Sequence, residues 1–400
     1  MSAAAVLEAP TVMAWPKAPL GELLEVQNGF AFSSKQFSES SGFPLIRIRD
    51  LKDNGATAVG FLGNYDADYV VGNGDLLIGM DGEFRCYEWG GGPALLNQRV
   101  CRLRRFDSRL HPRFLFYGIN RYLKEIEDQT SFTTVKHLSS KTIKGIDFPL
   151  PALEQQKRIV AVLDQAFAAL DRARALTEAN LADAEEVFES VRFSIFDKVE
   201  KSHPAKSLGQ ICSRVSVGHV GETSKHYVET DGIPFLRSQN VRPSGLDLDG
   251  TRYISSEFHS KLKKSQLVGG ELLFVRVGAN RSDCCLVPKG LGPMNCANVV
   301  FAKPVEGELQ YLEAFCQSRQ GKDRLLGMTT GSAQGVINTK SVATLNVPMP
   351  PIDVQQDVAQ NLGKVRQMTN ALARAFSYQI NDITDLRQSL LQKAFAGELT

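Results

Sequence analysis

No run of apolar residues in this chain is long enough to span a bilayer. Its start, Met1 to Pro19, lacks the basic residues followed by an apolar stretch that mark a secretory signal. It reads as a tail or short arm of a cytoplasmic protein. The seven cysteines, Cys86, Cys101, Cys212, Cys284, Cys285, Cys296 and Cys316, form an odd set with no C-x-x-C pair, so reduced thiols are expected. None of the six histidines has a metal-ligand partner by spacing, and no metal site is expected. There is no phosphate-cradling G-x-x-x-x-G-K-[ST], no nucleophile elbow and no H-E-x-x-H. Gly72-Asn73-Gly74 precedes a strand without opening a G-x-G-x-x-G fingerprint, so it is a turn. No N-P-P-Y or D-P-P-Y box of an amino-methyltransferase occurs. The chain is expected to carry out no chemistry of its own.

What the sequence does have is two long helical stretches. From Pro151 to Lys198, Ile159, Leu163, Ala166, Leu170, Ala173, Thr177, Asn180, Ala184, Val187, Val191 and Ser194 recur in alternating steps of four and three, with no proline or glycine within the seam. From Pro351 to Phe395 the pattern returns 199 residues later in Val358, Leu362, Val365, Thr369, Leu372, Phe376, Gln379, Ile383, Leu386, Leu390 and Lys393, with Gly363 as a local weak point. Pro149-Leu150-Pro151 before Gln155-Gln156 matches Pro348-Met349-Pro350-Pro351 before Gln355-Gln356, and the prolines predict an extended approach and a sharp helix start. Helices this long need a partner along most of their length, and each is the other's natural partner. Thr177, Asn180, Thr369 and Gln379 would then fix the register as polar seam residues.

The segments before the helices also resemble each other. Leu20-Gly21 matches Leu208-Gly209, Gly42 to Arg47 matches Gly232 to Arg237, Gly74 to Ile78 matches Gly270 to Phe274, and Gln98-Arg99-Val100 lies opposite Ala297-Asn298-Val299. Order is kept while the offset drifts, so loops of different length sit in a shared framework, and loops commonly carry recognition. Short strands bounded by Gly or Asn, with helices near Pro112 to Asp128 and Leu309 to Leu325, predict a mixed α/β globule on a strongly curved sheet. The expected order is globule 1–150, helix 151–200, globule 201–348 and helix 349–400, with the helices antiparallel about a pseudo-two-fold axis. The near-neutral total of +2 hides a basic second globule, with 18 Lys+Arg against 12 Asp+Glu over 201–348.

Two diverged globules, each followed by a P-x-P-x-x-x-Q-Q type approach and a long helix, with an ending Leu390-Leu391-Gln392-Lys393-Ala394-Phe395-Ala396-Gly397-Glu398-Leu399, resemble the specificity subunit of type I restriction-modification systems. The resemblance covers essentially the whole chain. It implies two target recognition domains, each reading half of a split site in double-stranded DNA, joined by helices that set the spacing and dock two methyltransferase subunits. Restriction/translocase subunits would complete the complex, and S-adenosylmethionine and ATP would bind those partners, leaving this chain without a cofactor. A recognition subunit of a type IIB-like system, whose partner fuses methylation and cleavage, would look nearly the same. A helical scaffold carrying two protein-binding globules is the alternative from another class.

Three groups of residues could contact DNA. After Pro44, Ile46 and Ile48 alternate with Arg47 and Arg49, so a strand would place both arginines on one face with Lys52 beyond. Arg237, Gln239, Asn240 and Arg242 occupy the corresponding places in the second copy. Arginine bonds guanine bidentately, and Gln or Asn does so to adenine; a surface strand with ion pairs and an Asn turn is the structural alternative. The second group is polar: Thr133, Thr134 and Lys136 near Thr130, Ser131 and Phe132, and Ser332 and Gln334 near Thr329, Thr330, Gly331 and Asn338. Such side chains could approach phosphates or base edges, or simply cap a strand. The third is the loop with Arg276, Gly278, Asn280 and Arg281, opposite Asp81, Glu83 and Arg85, in which the two acids are expected to hold the loop together.

Overall fold

The computed structural model describes residues 15–52, 57–130, 136–229, 231–327 and 335–399. It divides into two compact units, Met1–Ala175 with Ile380–Thr400, and Leu176–Gln379.

In the first unit, an antiparallel four-stranded sheet runs in the order Glu25–Asn28, Val100–Arg104, Leu76–Gly79, Cys86–Glu88. A five-stranded sheet runs Phe37–Ser38, Gly60–Phe61, Phe43–Ile46, Ala94–Leu96, Val70–Val71, with Phe43–Ile46 and Ala94–Leu96 parallel. The second unit repeats both. Cys212–Val217, Val299–Pro304, Leu272–Val275 and Cys284–Leu286 form the four-stranded sheet. Tyr227–Val228, Arg252–Ile254, Ile233–Leu236, Met294–Cys296 and Gln266–Leu267 form the five-stranded one. Each copy therefore has two sheets where one curved sheet was expected. The corner between them needs glycine: a Cβ on Gly29 would lie 2.0 Å from the Asn97 carbonyl oxygen, and one on Gly218 would lie 2.7 Å from that of Cys296.

A strand pair closes each copy, Lys17–Pro19 on Asp147–Pro149 and Ala205–Ser207 on Asn346–Pro348. Lys17–Pro19 thus belongs to the fold, as does Trp15, which packs on the Phe114 ring, so the expected tail is shorter than read. The first helix of the repeat spans Pro112–Gln129 without a break. Its counterpart is split into Leu309–Gln317 and Arg319–Gly327. At the break, the Ser318 hydroxyl donates to Phe315 O (2.6 Å) and accepts from Gly321 N (3.2 Å), replacing helix bonds with local ones.

The long helices span Leu153–Ser202 and Ile352–Phe395. Ile159, Leu163, Thr177, Ala184, Val358, Leu362 and Thr369 are buried as the seam requires. Val187 is 53% exposed and Ser194 also faces solvent, while Phe188, Ile195 and Phe196 turn inward instead. A strict heptad drifts by about 20° per repeat against the 3.6-residue turn, and the bulky aromatics decide which side is covered. Asn180, Gln379, Leu372, Leu386 and Lys393 are likewise exposed. Within each unit the two helices run antiparallel. Arg387 lies 4.2 Å over the Phe167 ring and 2.5 Å from Asp171 in the first, and Arg366 lies 3.6 Å over Phe188 and 2.7 Å from Glu185 in the second.

The glutamine after each proline pair has a defined task. Gln156, fully buried, donates to Arg109 O and Pro151 O and accepts from His111 N, all at 2.8 Å. Gln355 donates to Pro350 O (2.8 Å) and accepts from Glu308 N (2.9 Å). His111 and Glu308 cap the helices Pro112–Gln129 and Leu309–Gln317, so each glutamine ties a long-helix start to the start of a domain helix. All seven cysteines are free thiols.

Candidate nucleic-acid interface

The strand expected to alternate Arg47 and Arg49 ends at Ile46, and Ile48–Leu51 is a 3-10 turn. The buried Asp50 carboxylate accepts from Arg47 N (2.8 Å) and Arg47 Nε (3.4 Å), which bends the chain, and Ile48 and Leu51 then pack over Gly79. Arg47 is half-buried and pinned, whereas Arg49 and Lys52 are exposed.

The second copy makes the same turn after Leu236. Asn240 is no base reader: it is fully buried, accepting from Arg237 N (2.9 Å) and donating to Asp247 O (2.8 Å) and Thr251 Oγ1 (3.0 Å). Arg237 precedes the turn, half-buried, with Nε hydrogen-bonded to nothing among the described residues. Gln239 stands exposed at the apex, and Arg242, on the hairpin strand Val241–Arg242, lies 4.0 Å from Asp247. An Asp and an Asn at matching places, three residues after an arginine, were the signal for these turns.

The loop after Leu76–Gly79 lies against the first turn, since Lys52 Nζ donates to Glu83 at 2.5 Å. That bond raises the Lys52 pKa and lowers that of Glu83. Both are exposed, and such a pair adds little to stability. Arg85 is exposed, 5.7 Å over the Tyr87 ring. Asp81 binds Arg99 and lies 2.7 Å from His137 Nδ1, so both acids of this loop do organise it. Lys136 donates to Glu127 O (2.8 Å) while its own carbonyl accepts from Gly82 N (3.1 Å), a structural placement.

In the second copy, Arg276 Nε donates to Ile337 O at 3.3 Å, and Ile337 N returns a bond to Arg276 O. Asn280 and Arg281 are exposed on a turn closed by Arg281 N donating to Gly278 O (3.2 Å). Asn338 caps the helix Thr339–Ala343 through Ser341 N (2.9 Å). Thr133, Thr134, Ser332 and Gln334 lie outside the described residues, as do Ser131, Phe132, Thr329, Thr330 and Gly331.

In the first copy the turn and loop meet, with Arg49 and Arg85 exposed and Lys52 exposed but bonded to Glu83; in the second copy Gln239, Asn280 and Arg281 are exposed and Arg242 is half-buried beside Asp247. Sequence reading missed Arg99 and His137 as candidates. Arg99 has φ 71°, which nothing in its residue type announces.

Residues 14–180 match the family model of the type I restriction modification DNA specificity domain. The chain is similar to the type I specificity subunits. It is 28% identical to the type I restriction enzyme EcoBI specificity subunit of Escherichia coli, over 96% of this chain and 86% of that one. The EcoKI specificity subunit of Escherichia coli strain K12 is 24% identical over 70% and 63%. Among solved structures, a chain described in work on complex assembly and conformational transition of the type I R-M system superposes with a TM-score of 0.73 at 19% identity. It covers 96% of this chain and 98% of that one. The HsdS subunit from Thermoanaerobacter tengcongensis gives 0.56 at 18% identity, covering 98% and 100%. These likenesses show the specificity-subunit fold: two mixed α/β domains and two long helices. Among the described residues, no helix is long and apolar enough to cross a membrane.

Proposed function

We propose that this chain is the DNA sequence-recognition subunit of a type I restriction-modification complex and does no chemistry itself. Each globular copy reads one half of a split site in double-stranded DNA. The helices set the spacing and dock two methyltransferase subunits, to which restriction/translocase subunits add. S-adenosylmethionine and ATP belong to those partners, and the whole works in the cytoplasm.

One observation carries this reading. The same two-sheet framework occurs twice, and at matching places it presents different side chains: Arg49 and Lys52 against Gln239 and Arg242, and Arg85 against Asn280 and Arg281. A constant frame with variable donors is what reading two different half-sites requires. The near-neutral net charge supports a role for partners, because phosphate neutralisation dominates affinity and this chain brings little of it alone.

The test is selection of bound DNA from a random library by the full chain with its modification partner. A split motif is expected, and replacing residues 205–348 by those of a relative should change one half only. A single unbroken motif, or no motif, would overturn the proposal.

A further inference from the structure

Where Ala94–Leu96 leads into Val100–Arg104, the first copy carries one residue more than the second. Phe30 N donates to Leu96 O and Gln98 N to Phe30 O, as His219 N does to Cys296 O and Asn298 N to His219 O. Numbering there differs by 200. Beyond the turn, Gly29 N donates to Val100 O as Gly218 N does to Val299 O, and the difference is 199. The additional residue falls at Gln98–Arg99, and Arg99 (φ 71°) takes the left-handed place before the strand that Asn298 (φ 55°) takes in the second copy.

An arginine at φ 71° occupies the left-handed region, a strained place for a residue with a Cβ. Two contacts hold it there: Met80 N donates to its carbonyl (2.8 Å), and its guanidinium Nη1 donates to Asp81 Oδ2. The other oxygen of Asp81 lies 2.7 Å from His137 Nδ1. Burial alone would push the Asp81 carboxyl up, yet bonds from His137 and Arg99 hold it below the ordinary aspartate range. The carboxylate is 12% exposed, while Arg99 and His137 are 62% and 58% exposed. The second copy lacks this device. Bonds from Leu138 N to Met80 O and from Ile337 N to Arg276 O align Met80 with Arg276, so Val277 stands where Asp81 does.

We infer that Arg99 is a specificity-determining residue that reads a guanine in the half-site of the first copy, aimed by Asp81 as a positioning residue, with His137 a second donor beside it. This rests on the DNA-reading function proposed above. A guanidinium has five N–H donors, and Asp81 takes up Nη1 alone, leaving donors for the O6 and N7 of guanine. Because the carboxylate already orients the guanidinium plane, less side-chain freedom is lost on binding. An arginine at the left-handed place where the second copy has asparagine, clamped by a largely buried acid and turned to solvent, exceeds what a connecting turn needs.

The test uses the full chain with its modification partner and the split-site library, comparing wild type with Arg99→Ala, Arg99→Lys, Asp81→Asn and Arg99→Ala/Asp81→Asn. Both Arg99 variants should relax one guanine position about 5- to 100-fold, the size of a bidentate contact, with the other half-site intact as an internal check of folding. Asp81→Asn should relax the same position less, and nothing further should be lost when Arg99 is already alanine. Unchanged preference in Arg99→Ala, with the wild type still selecting a split motif, would overturn the inference and leave the function standing. A uniform loss across sequences would overturn it too, by making Arg99 a phosphate contact. A wild type that selects no split motif would sink the function and this inference together.

Discussion

Gln156 has no exposed surface and makes three hydrogen bonds to backbone up to 47 residues away, so its amide cannot be replaced by water. Gln156→Leu leaves the His111 N–H and the Arg109 and Pro151 carbonyls unmet. Since each buried orphan costs about 1 to 3 kcal/mol, a total near 3 to 5 kcal/mol is expected, read as an earlier urea transition; a change under about 1 kcal/mol would deny the clamp. The glutamine was visible in the sequence as a repeated motif, but its role was not, because its partners come from a distant loop. Asn240 shows the reverse error: its type suits adenine, yet burial and three bonds give it to the turn. Asn240→Ala should therefore destabilise by about 2 to 4 kcal/mol. Gln239→Ala, one residue earlier but exposed, should leave thermal stability within about 0.5 kcal/mol and relax only the half-site read by the second copy. If the two variants exchanged these effects in parallel melting and methylation-site sequencing, the turn would be assigned wrongly.

The long helices were legible because helical periodicity is local, whereas the split sheet depends on strands such as Phe43–Ile46 and Ala94–Leu96 that lie far apart in sequence. Their contacts hold a pattern no single seam shows. Phe167 and Phe188 each lie under an arginine of the other helix, Arg387 and Arg366, so 167 to 188 in one helix answers 387 back to 366 in the other, three heptads in each. A double-mutant cycle with Phe167→Leu and Arg387→Met should give a coupling of about 0.5 to 2 kcal/mol in thermal unfolding, and strict additivity would remove the clamp from the argument. A second tether is acid-sensitive. Asp164 accepts from Arg113 Nη2 (2.6 Å) and from the Tyr117 hydroxyl, joining Pro112–Gln129 to the first long helix. Burial pushes the Asp164 carboxyl up, but bonds from Arg113 and Tyr117 outweigh it and leave its pKa lowered, so folding binds fewer protons. The stabilisation is full above the ordinary aspartate value of about 4 and fades as pH falls through the lower folded value. Between pH 7 and pH 3, wild type should lose more of its urea midpoint than Asp164→Asn; equal losses would show that the tether contributes nothing.

At the scale of the molecule, the internal repeat was readable from order and spacing, while the residue added in the turn at Gln98–Arg99 was not, since one residue in a turn disturbs neither. If the repeat reads two half-sites, the helices that connect the copies measure the distance between them, and their clamps make the measure testable. Seven residues inserted in each helix, between Asp171 and Glu185 in the first and between Arg366 and Arg387 in the second, leave whole heptads between the clamps, so both pairs can re-form. Four residues in each do not, and the phase error must be absorbed by local unwinding. The seven-residue variant should unfold near the wild-type temperature, the four-residue variant several degrees lower. Seven residues add about 10 Å of helix, close to three base pairs at 3.4 Å each. Three base pairs also turn the second half-site by about 100°, because B-DNA completes a turn in roughly 10.5. The expected selection is therefore unchanged half-sites, a spacer about three base pairs longer, and weaker binding than wild type from the rotational mismatch. Recovery of the original spacer at full affinity would mean that the distance between half-sites is set by something other than these helices.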